Sequence, residues 1–115
     1  MGQAQQKRGA VLIVEDDAEL RSLTAALLED DQLDTIECES AEAALAVMLI
    51  GGQHVALIFA DIRLRGVMDG VDLAHEVRLR WPLLPVVICA NSRPVSLTYP
   101  SLGSRLICSS PPKRR

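Results

Sequence analysis

Aromatic residues make up only 3% of this 115-residue chain, so aliphatic side chains must build most of its core. Basic residues are scarce as well: the net charge is -3 and the one basic cluster is residues 113–115, which argues against nucleic acid as a partner. No apolar stretch approaches the ~20 residues that span a bilayer, so no membrane association is expected. The three cysteines lack a Cys-x-x-Cys spacing, which favours reduced, buried thiols in a cytoplasmic protein.

The chain length fits one domain with a core of its own. Hydrophobic residues form 49% of the sequence and charged residues 23%, which is ordinary for a soluble globular protein. Residues 1–9 are polar and predicted to be a flexible leader, residues 10–112 the folded domain, and residues 113–115 a basic tail.

Short apolar runs alternate with stretches of helical spacing, which predicts an α/β protein whose parallel sheet is covered on both faces. The predicted strands are residues 11–14, 33–39, 55–60, 86–89 and 106–108. Helices are predicted over residues 18–29, 41–51 and about 70–81. Between residues 91 and 104, Pro94 and Pro100 indicate that any helix is short or broken.

Two of the predicted strands end in carboxylates. Glu15 and Asp16 follow the first strand, and Asp61 follows the third. If these strands are parallel neighbours, their carboxylates converge at one sheet edge, where a cluster is costly unless a metal ion neutralises it. The alternative is that the first group only favours a helix N-terminus. Asp61 supports the site hypothesis, because it ends an apolar strand without a basic neighbour before it, whereas Asp69 before Gly70 is predicted to be a turn or cap residue.

Three motifs occur in order along the chain: residues 11–17 (VLIVEDD), 60–64 (ADIRL) and 68–74 (MDGVDLA). Together they resemble the receiver domain of bacterial two-component response regulators, over about residues 10–112. The resemblance implies a doubly wound, five-stranded parallel sheet in the flavodoxin-like order 2-1-3-4-5. It also implies a signalling protein, not an enzyme, whose partner is a sensor histidine kinase or a phosphotransfer protein.

The resemblance further implies a set of site residues. Asp61 corresponds to the aspartate that accepts a phosphoryl group. Asp16 and Asp61 correspond to carboxylate ligands of Mg²⁺, Glu15 would act through water, and the backbone carbonyl of Arg63 would complete the protein ligands. Mg²⁺ chemistry agrees, since this ion prefers oxygen ligands and offsets charge repulsion during phosphoryl transfer.

Several positions depart from the family pattern. Ala90 replaces the Ser or Thr that contacts the phosphoryl group, Ser110 replaces a Lys, and Ile107 replaces the aromatic switch residue. Ser92 and Lys113 lie close enough in sequence to be possible substitutes. These departures predict slower phosphoryl transfer or an altered way of communicating it.

Two further departures concern the pocket rim and the C-terminal end. Arg65 stands where the family has Pro, and one additional residue precedes Asp69. Pro94 and Pro100 predict that the fourth helix is degenerate, and the chain stops five residues after Ser110, so the last helix is expected to be missing. An apolar sheet face would then be open, which predicts a homodimer or a partner on that face.

Three functions are compatible with the sequence. The first is a stand-alone receiver that accepts a phosphoryl group on Asp61. The second is a degenerate receiver that binds a partner independently of phosphorylation, suggested by Ala90, Ile107 and Ser110. The third is a Mg²⁺-dependent phosphatase-like enzyme. It is ranked last because the third strand lacks an Asp-x-Asp motif and because neither His54 nor His75 belongs to a recognisable group of catalytic nucleophile residues.

Overall fold

The computed structural model describes residues 9–90 and the backbone of residues 93–99 and 103–106. The strands are β1 (Ala10–Val14), β2 (Asp34–Cys38), β3 (Val55–Asp61), β4 (Val86–Ala90), β5 (Arg93–Tyr99) and β6 (Gly103–Leu106). The helices are α1 (Ala18–Asp30), α2 (Ala41–Gly51) and α3 (Gly70–Arg80), and a 3₁₀ turn (Gly52–His54) precedes β3. No helix among the described residues is long and apolar enough to cross a bilayer.

The sheet has the order β2-β1-β3-β4-β5-β6, and its first four strands are parallel. Val14 lies opposite Cys38 of β2 and Ala60 of β3, and Asp61 lies opposite Cys89 of β4. The prediction of an α/β fold with the order 2-1-3-4 is therefore confirmed over these strands and the three helices. Because the strands run in one direction, their carboxyl ends meet at one edge of the sheet.

Each helix starts at a side-chain cap of the type expected from the sequence. The Asp17 carboxylate accepts hydrogen bonds from the N–H groups of the first turn of α1, and the Ser40 hydroxyl accepts one from Ala43 at 3.0 Å. Asp69 caps α3 and exchanges hydrogen bonds with Asp72 in a capping box. Such caps satisfy N–H groups that have no partner within the helix. The prediction of Asp69 as a cap residue is confirmed.

The two faces of the sheet are covered unequally. One face packs against α2 and α3 and holds the larger core, with fully buried Leu12, Ile58 and Leu73. Among the described helices only α1 packs against the other face, whose core contains the buried residues Val11, Ile13 and Ala25, while Leu57 and Phe59 are only partly buried. Aliphatic side chains thus build most of the described core, as the composition predicts.

Beyond β4 the structure differs from the prediction. Residues 93–99 form a strand antiparallel to β4 in place of a short or broken helix, and β6 is antiparallel to β5. Apolar residues recur with period two at Val95, Leu97 and Tyr99, and this alternation is typical of a strand. Pro94 pairs with Cys89 beside an irregularity in the register, a position where proline is tolerated.

The sheet is therefore mixed and six-stranded, and the all-parallel, five-stranded prediction is correct only up to β4. The expected last strand, residues 106–108, overlaps β6 only at Leu106. Residues 107–115, which include the predicted basic tail and the place of the predicted missing last helix, lie outside the described residues, as does most of the predicted leader. Cys38 and Cys89 are buried free thiols, as expected.

Candidate functional site

Three carboxylates converge at the carboxyl edge of the parallel strands. Glu15 and Asp16 follow the last residue of β1, and Asp61 is the last residue of the neighbouring β3. One carboxylate oxygen from each residue lies within 4.8 Å of the others, and all three residues are partly buried. We call Glu15, Asp16 and Asp61 the acidic cluster.

Burial and mutual repulsion act on two members of the acidic cluster. Burial raises the pKa of the Asp61 carboxyl, backbone N–H groups of Arg63 and Ile62 oppose this rise, and the charge of Asp16 adds to it. Burial likewise raises the pKa of Glu15; the hydrogen bond from the Asp17 N–H at 3.1 Å opposes it, and Asp61 and Asp16 add to it. Negative charge in the cluster is therefore only partly compensated, which favours binding of a cation.

The donor set of the acidic cluster fits Mg²⁺. Its ligands are carboxylate oxygens, which this hard cation prefers, and partial exposure leaves room for the waters that Mg²⁺ retains. Arg63 is exposed, and its backbone N–H group contacts the Asp61 carboxylate. That its carbonyl oxygen is a metal ligand stays a prediction.

Arg65 contacts the acidic cluster twice. Its backbone N–H donates to Oδ2 of Asp16 at 3.2 Å, and its guanidinium Nε lies 3.4 Å from the same oxygen. This residue was identified from the sequence only as a departure at the rim of the pocket. Its pairing with Asp16 depends on the path of the β3–α3 loop, which the sequence pattern does not specify.

Glu42 holds the other end of that loop. Its Oε2 atom accepts hydrogen bonds from the N–H groups of Val67 and Met68 at 3.2 and 3.1 Å. These bonds lower the pKa of the Glu42 carboxyl, together with one from its own backbone N–H group, which has the largest effect. Gly66 has φ +103°, and a Cβ atom there would lie 3.0 Å from Glu42 Oε1, so both the backbone conformation and the close approach favour glycine.

We call the end of β4 the opposite wall of the site, because β4 flanks β3 on the side away from β1. Cys89 lies opposite Asp61 in the sheet, and its carbonyl oxygen accepts a hydrogen bond from the Ile62 N–H at 2.7 Å. Burial, followed by the charges of Asp61 and Glu15, raises the pKa of the Cys89 thiol to about 12, so the thiol is neutral at physiological pH. Ala90, the last residue of β4, brings only a methyl group.

The remaining predicted pocket residues, Ser92, Ile107, Ser110 and Lys113, lie outside the described residues. Sequence reasoning did not identify Cys89 as a neighbour of Asp61, although the apolar run it ends was assigned to a strand. Its position could have been inferred from the expected register between β3 and β4.

Two cavities lie at opposite ends of the sheet. One, of about 320 Å³, adjoins the acidic cluster and is lined by Asp16, Glu39, Ser40, Glu42, Arg65 and Gly66. The larger, of about 520 Å³, lies near the start of β3 and beside Trp81 and Pro85, away from the carboxylates. We assign the candidate chemistry to the carboxyl end of the sheet, because Asp16 of the acidic cluster lines the smaller cavity.

Known proteins with a similar sequence are response regulators. AruR, a transcriptional regulatory protein of Pseudomonas aeruginosa, is 42% identical over 73 residues, which are 61% of this chain and 30% of AruR. The nitrogen assimilation regulatory protein NtrX of Azorhizobium caulinodans is 35% identical over 82 residues, which are 70% of this chain and 18% of NtrX. The chain thus spans less than a third of the length of these relatives.

Solved structures support the same assignment. The receiver domain of NtrX from Brucella abortus superposes with a TM-score of 0.63 at 35% identity, covering 68% of this chain and 64% of that one. A receiver domain protein from Clostridium thermocellum superposes with a TM-score of 0.66 at 19% identity, covering 70% of this chain and 63% of that one, and shows the same fold. The family described as response regulator receiver domain matches residues 11–99. The chain belongs to the response regulator receiver domain family of two-component signalling proteins.

Proposed function

We propose that Asp61 is the phosphoacceptor of this receiver domain and that the phosphoryl group comes from a histidine kinase or phosphotransfer protein in the cytoplasm. The observation that carries this proposal is the position of Asp61 at the carboxyl edge of the sheet, with oxygen atoms of Glu15 and Asp16 within 4.8 Å. Partial exposure makes the Asp61 carboxylate accessible to a donor while its backbone stays in β3.

In the proposed reaction an Asp61 carboxylate oxygen bonds to phosphorus while the bond between phosphorus and the donor histidine nitrogen breaks. The backbone N–H groups of Ile62 and Arg63 orient the carboxylate. Asp16, Asp61, Glu15 through water and the Arg63 carbonyl would hold Mg²⁺. That ion, when bound, would offset the repulsion between the carboxylates and the incoming phosphoryl group.

Intact-mass measurement after incubation with acetyl phosphate and Mg²⁺ tests phosphoacceptance. We expect the parent protein to gain the mass of one phosphoryl group and Asp61→Asn to gain none. The matched control is Asp34→Asn, the same chemical change at an exposed carboxylate at the start of β2. The control should be phosphorylated like the parent. Failure of the parent to form an adduct, or an adduct of equal yield on Asp61→Asn, would contradict the proposal.

A second function is favoured by Ala90. β4 brings neither a hydroxyl nor a cation to the pocket, so the domain could work as an interaction module without phosphorylation. Binding to the partner would then be the same for the parent and for Asp61→Ala, with or without acetyl phosphate. Loss of binding in Asp61→Ala would exclude this function. The stand-alone arrangement stays a prediction, and so does the homodimer, which sedimentation of the full chain can test.

A further inference from the structure

One oxygen atom of the acidic cluster already has a positively charged neighbour. Oδ2 of Asp16 accepts the backbone N–H of Arg65 at 3.2 Å and lies 3.4 Å from the guanidinium Nε of the same residue. Asp16 is at the same time one of the three residues that could hold a metal ion. The ion pair and the candidate metal site therefore share a carboxylate.

The two contacts of Arg65 with Asp16, through the guanidinium and through the backbone N–H, differ in how easily a cation could displace them. The guanidinium is a mobile partner, because the Arg65 side chain is 86% exposed, whereas that of Asp16 is 22% exposed. The backbone N–H, by contrast, belongs to a loop that Glu42 also holds, at Val67 and Met68. A cation that approaches Asp16 would thus displace the side chain of Arg65 more readily than its backbone.

We propose that the Arg65 guanidinium is an internal counter-ion that competes with a divalent cation for Asp16 and so lowers the affinity of the acidic cluster for Mg²⁺. The inference rests on the proposed function, since it takes the acidic cluster as the Mg²⁺ site. In this proposal Arg65 acts through Asp16 and is not itself a metal ligand.

The opposite role would have the opposite sign. If the Arg65 side chain mainly held Asp16 in the orientation that the metal requires, removing the side chain would weaken Mg²⁺ binding. If the guanidinium competes, removing it leaves the carboxylate with a greater net attraction for a cation. An exposed ion pair has a modest effect, so we expect the dissociation constant for Mg²⁺ to fall by about two- to fivefold in Arg65→Ala.

Calorimetric titration with MgCl₂ alone tests the proposal on the full chain. Arg65→Lys keeps the charge and should stay near the parent value. Arg80→Ala is the matched control, since it removes the same net charge from an arginine that pairs with Glu76 on α3 at 3.4 Å. It should also leave the affinity near the parent value. Competition between charges predicts that the gain in Arg65→Ala shrinks as ionic strength rises.

Each outcome decides between the two ideas. Tighter binding in Arg65→Ala but not in Arg80→Ala supports competition, whereas unchanged or weaker binding in Arg65→Ala overturns it and leaves phosphoacceptance by Asp61 intact. Equal tightening in both variants also overturns it, because net charge would then explain the gain. Absence of Mg²⁺ binding in every protein would contradict both this inference and the metal site of the proposed function. A missing phosphoryl adduct despite tighter Mg²⁺ binding would contradict the proposed function alone.

Discussion

The two walls of the pocket differ in charge. The wall formed by the ends of β1 and β3 carries the three carboxylates of the acidic cluster, and the wall formed by the end of β4 carries a neutral thiol and a methyl group. The two walls adjoin, since Cys89 lies opposite Asp61 in the sheet; burial, followed by the charges of Asp61 and Glu15, raises the pKa of its thiol. The described part of β4 does not offset the charge of the first wall.

This difference predicts that cation binding and phosphoryl binding can be changed separately by substitution in this receiver domain. Oxygen ligands for a cation are gathered on one wall, whereas the hydroxyl that would contact a phosphoryl group is missing from the other at Ala90. Among the described residues, the charge is offset in part by the backbone N–H groups of Asp17, Ile62 and Arg63 and by the Arg65 guanidinium. Substitutions on the two walls should therefore change different measurements.

The largest effect is expected from Asp16→Asn. Loss of this carboxylate removes a charged oxygen ligand, so the dissociation constant for Mg²⁺ should rise about tenfold or more, as for other metal sites that lose a carboxylate contact. Calorimetric titration measures it. Asp17→Asn is the control, because Asp17 caps α1 and Asn is an equally good cap, so Mg²⁺ binding should change little. A tenfold loss in Asp17→Asn as well would indicate that the acidic wall is not confined to the cluster.

The next effect concerns the opposite wall. Ala90→Thr adds a hydroxyl at the end of β4, next to the residue that lies opposite Asp61, and should raise the rate of phosphorylation by acetyl phosphate about tenfold. Intact-mass time courses measure the rate. Ala90→Val has the same shape without the hydroxyl and should stay at the parent rate. Equal rates for the Thr and Val variants would show that the hydroxyl is not what this wall lacks.

The carboxylates at the ends of β1 and β3 could be predicted from the sequence, whereas the contacts of the β3–α3 loop could not. Buried parallel strands are recognisable as apolar runs. Once the strand order is inferred, a carboxylate at the end of each run is placed at the carboxyl edge of the sheet. Arg65 contacts Asp16 through a loop whose path depends on Glu42, 23 residues earlier in the chain. Such contacts between distant residues leave no local pattern.

The strand β5 shows a different limit of prediction from the sequence. Pro94 and Pro100 argue against a regular helix and so predict a broken one, but the alternation of apolar and polar residues after Pro94 is typical of a strand. Proline is compatible with a strand where the pairing is irregular, which is where the structure has Pro94. The choice between the two depends on pairing with β4, a tertiary contact.

A smaller effect is expected on stability. Because burial and the charge of Asp16 raise the pKa of Asp61, the folded protein takes up a proton at this carboxyl more readily than the unfolded chain. In the absence of metal, stability should therefore fall as pH rises from the usual value of 3.8 through the raised value, and the full penalty should be present at neutral pH.

Asp61→Asn removes that penalty. At pH 7 without metal, the variant should be more stable than the parent by up to about 1 kcal/mol, a small figure because the carboxyl is only partly buried and solvent screens its charge. Urea unfolding followed by fluorescence of Trp81, the only tryptophan, measures the difference. Added Mg²⁺ should stabilise the parent and not the variant. A less stable Asp61→Asn variant under metal-free conditions would mean that its backbone hydrogen bonds outweigh the repulsion.

The smallest effect is expected from Glu42→Ala, which releases the loop that joins the acidic wall to α3. The N–H groups of Val67 and Met68 lose their acceptor, so their hydrogen exchange should become a few-fold faster while exchange in β1 and β3 stays unchanged. Glu39→Ala, at an exposed residue lining the same cavity, is the control. Since Arg65 is in this loop, Glu42→Ala should also loosen its contact with Asp16. Faster exchange without any change in Mg²⁺ affinity would show that Arg65 holds Asp16 independently of the Glu42 contacts.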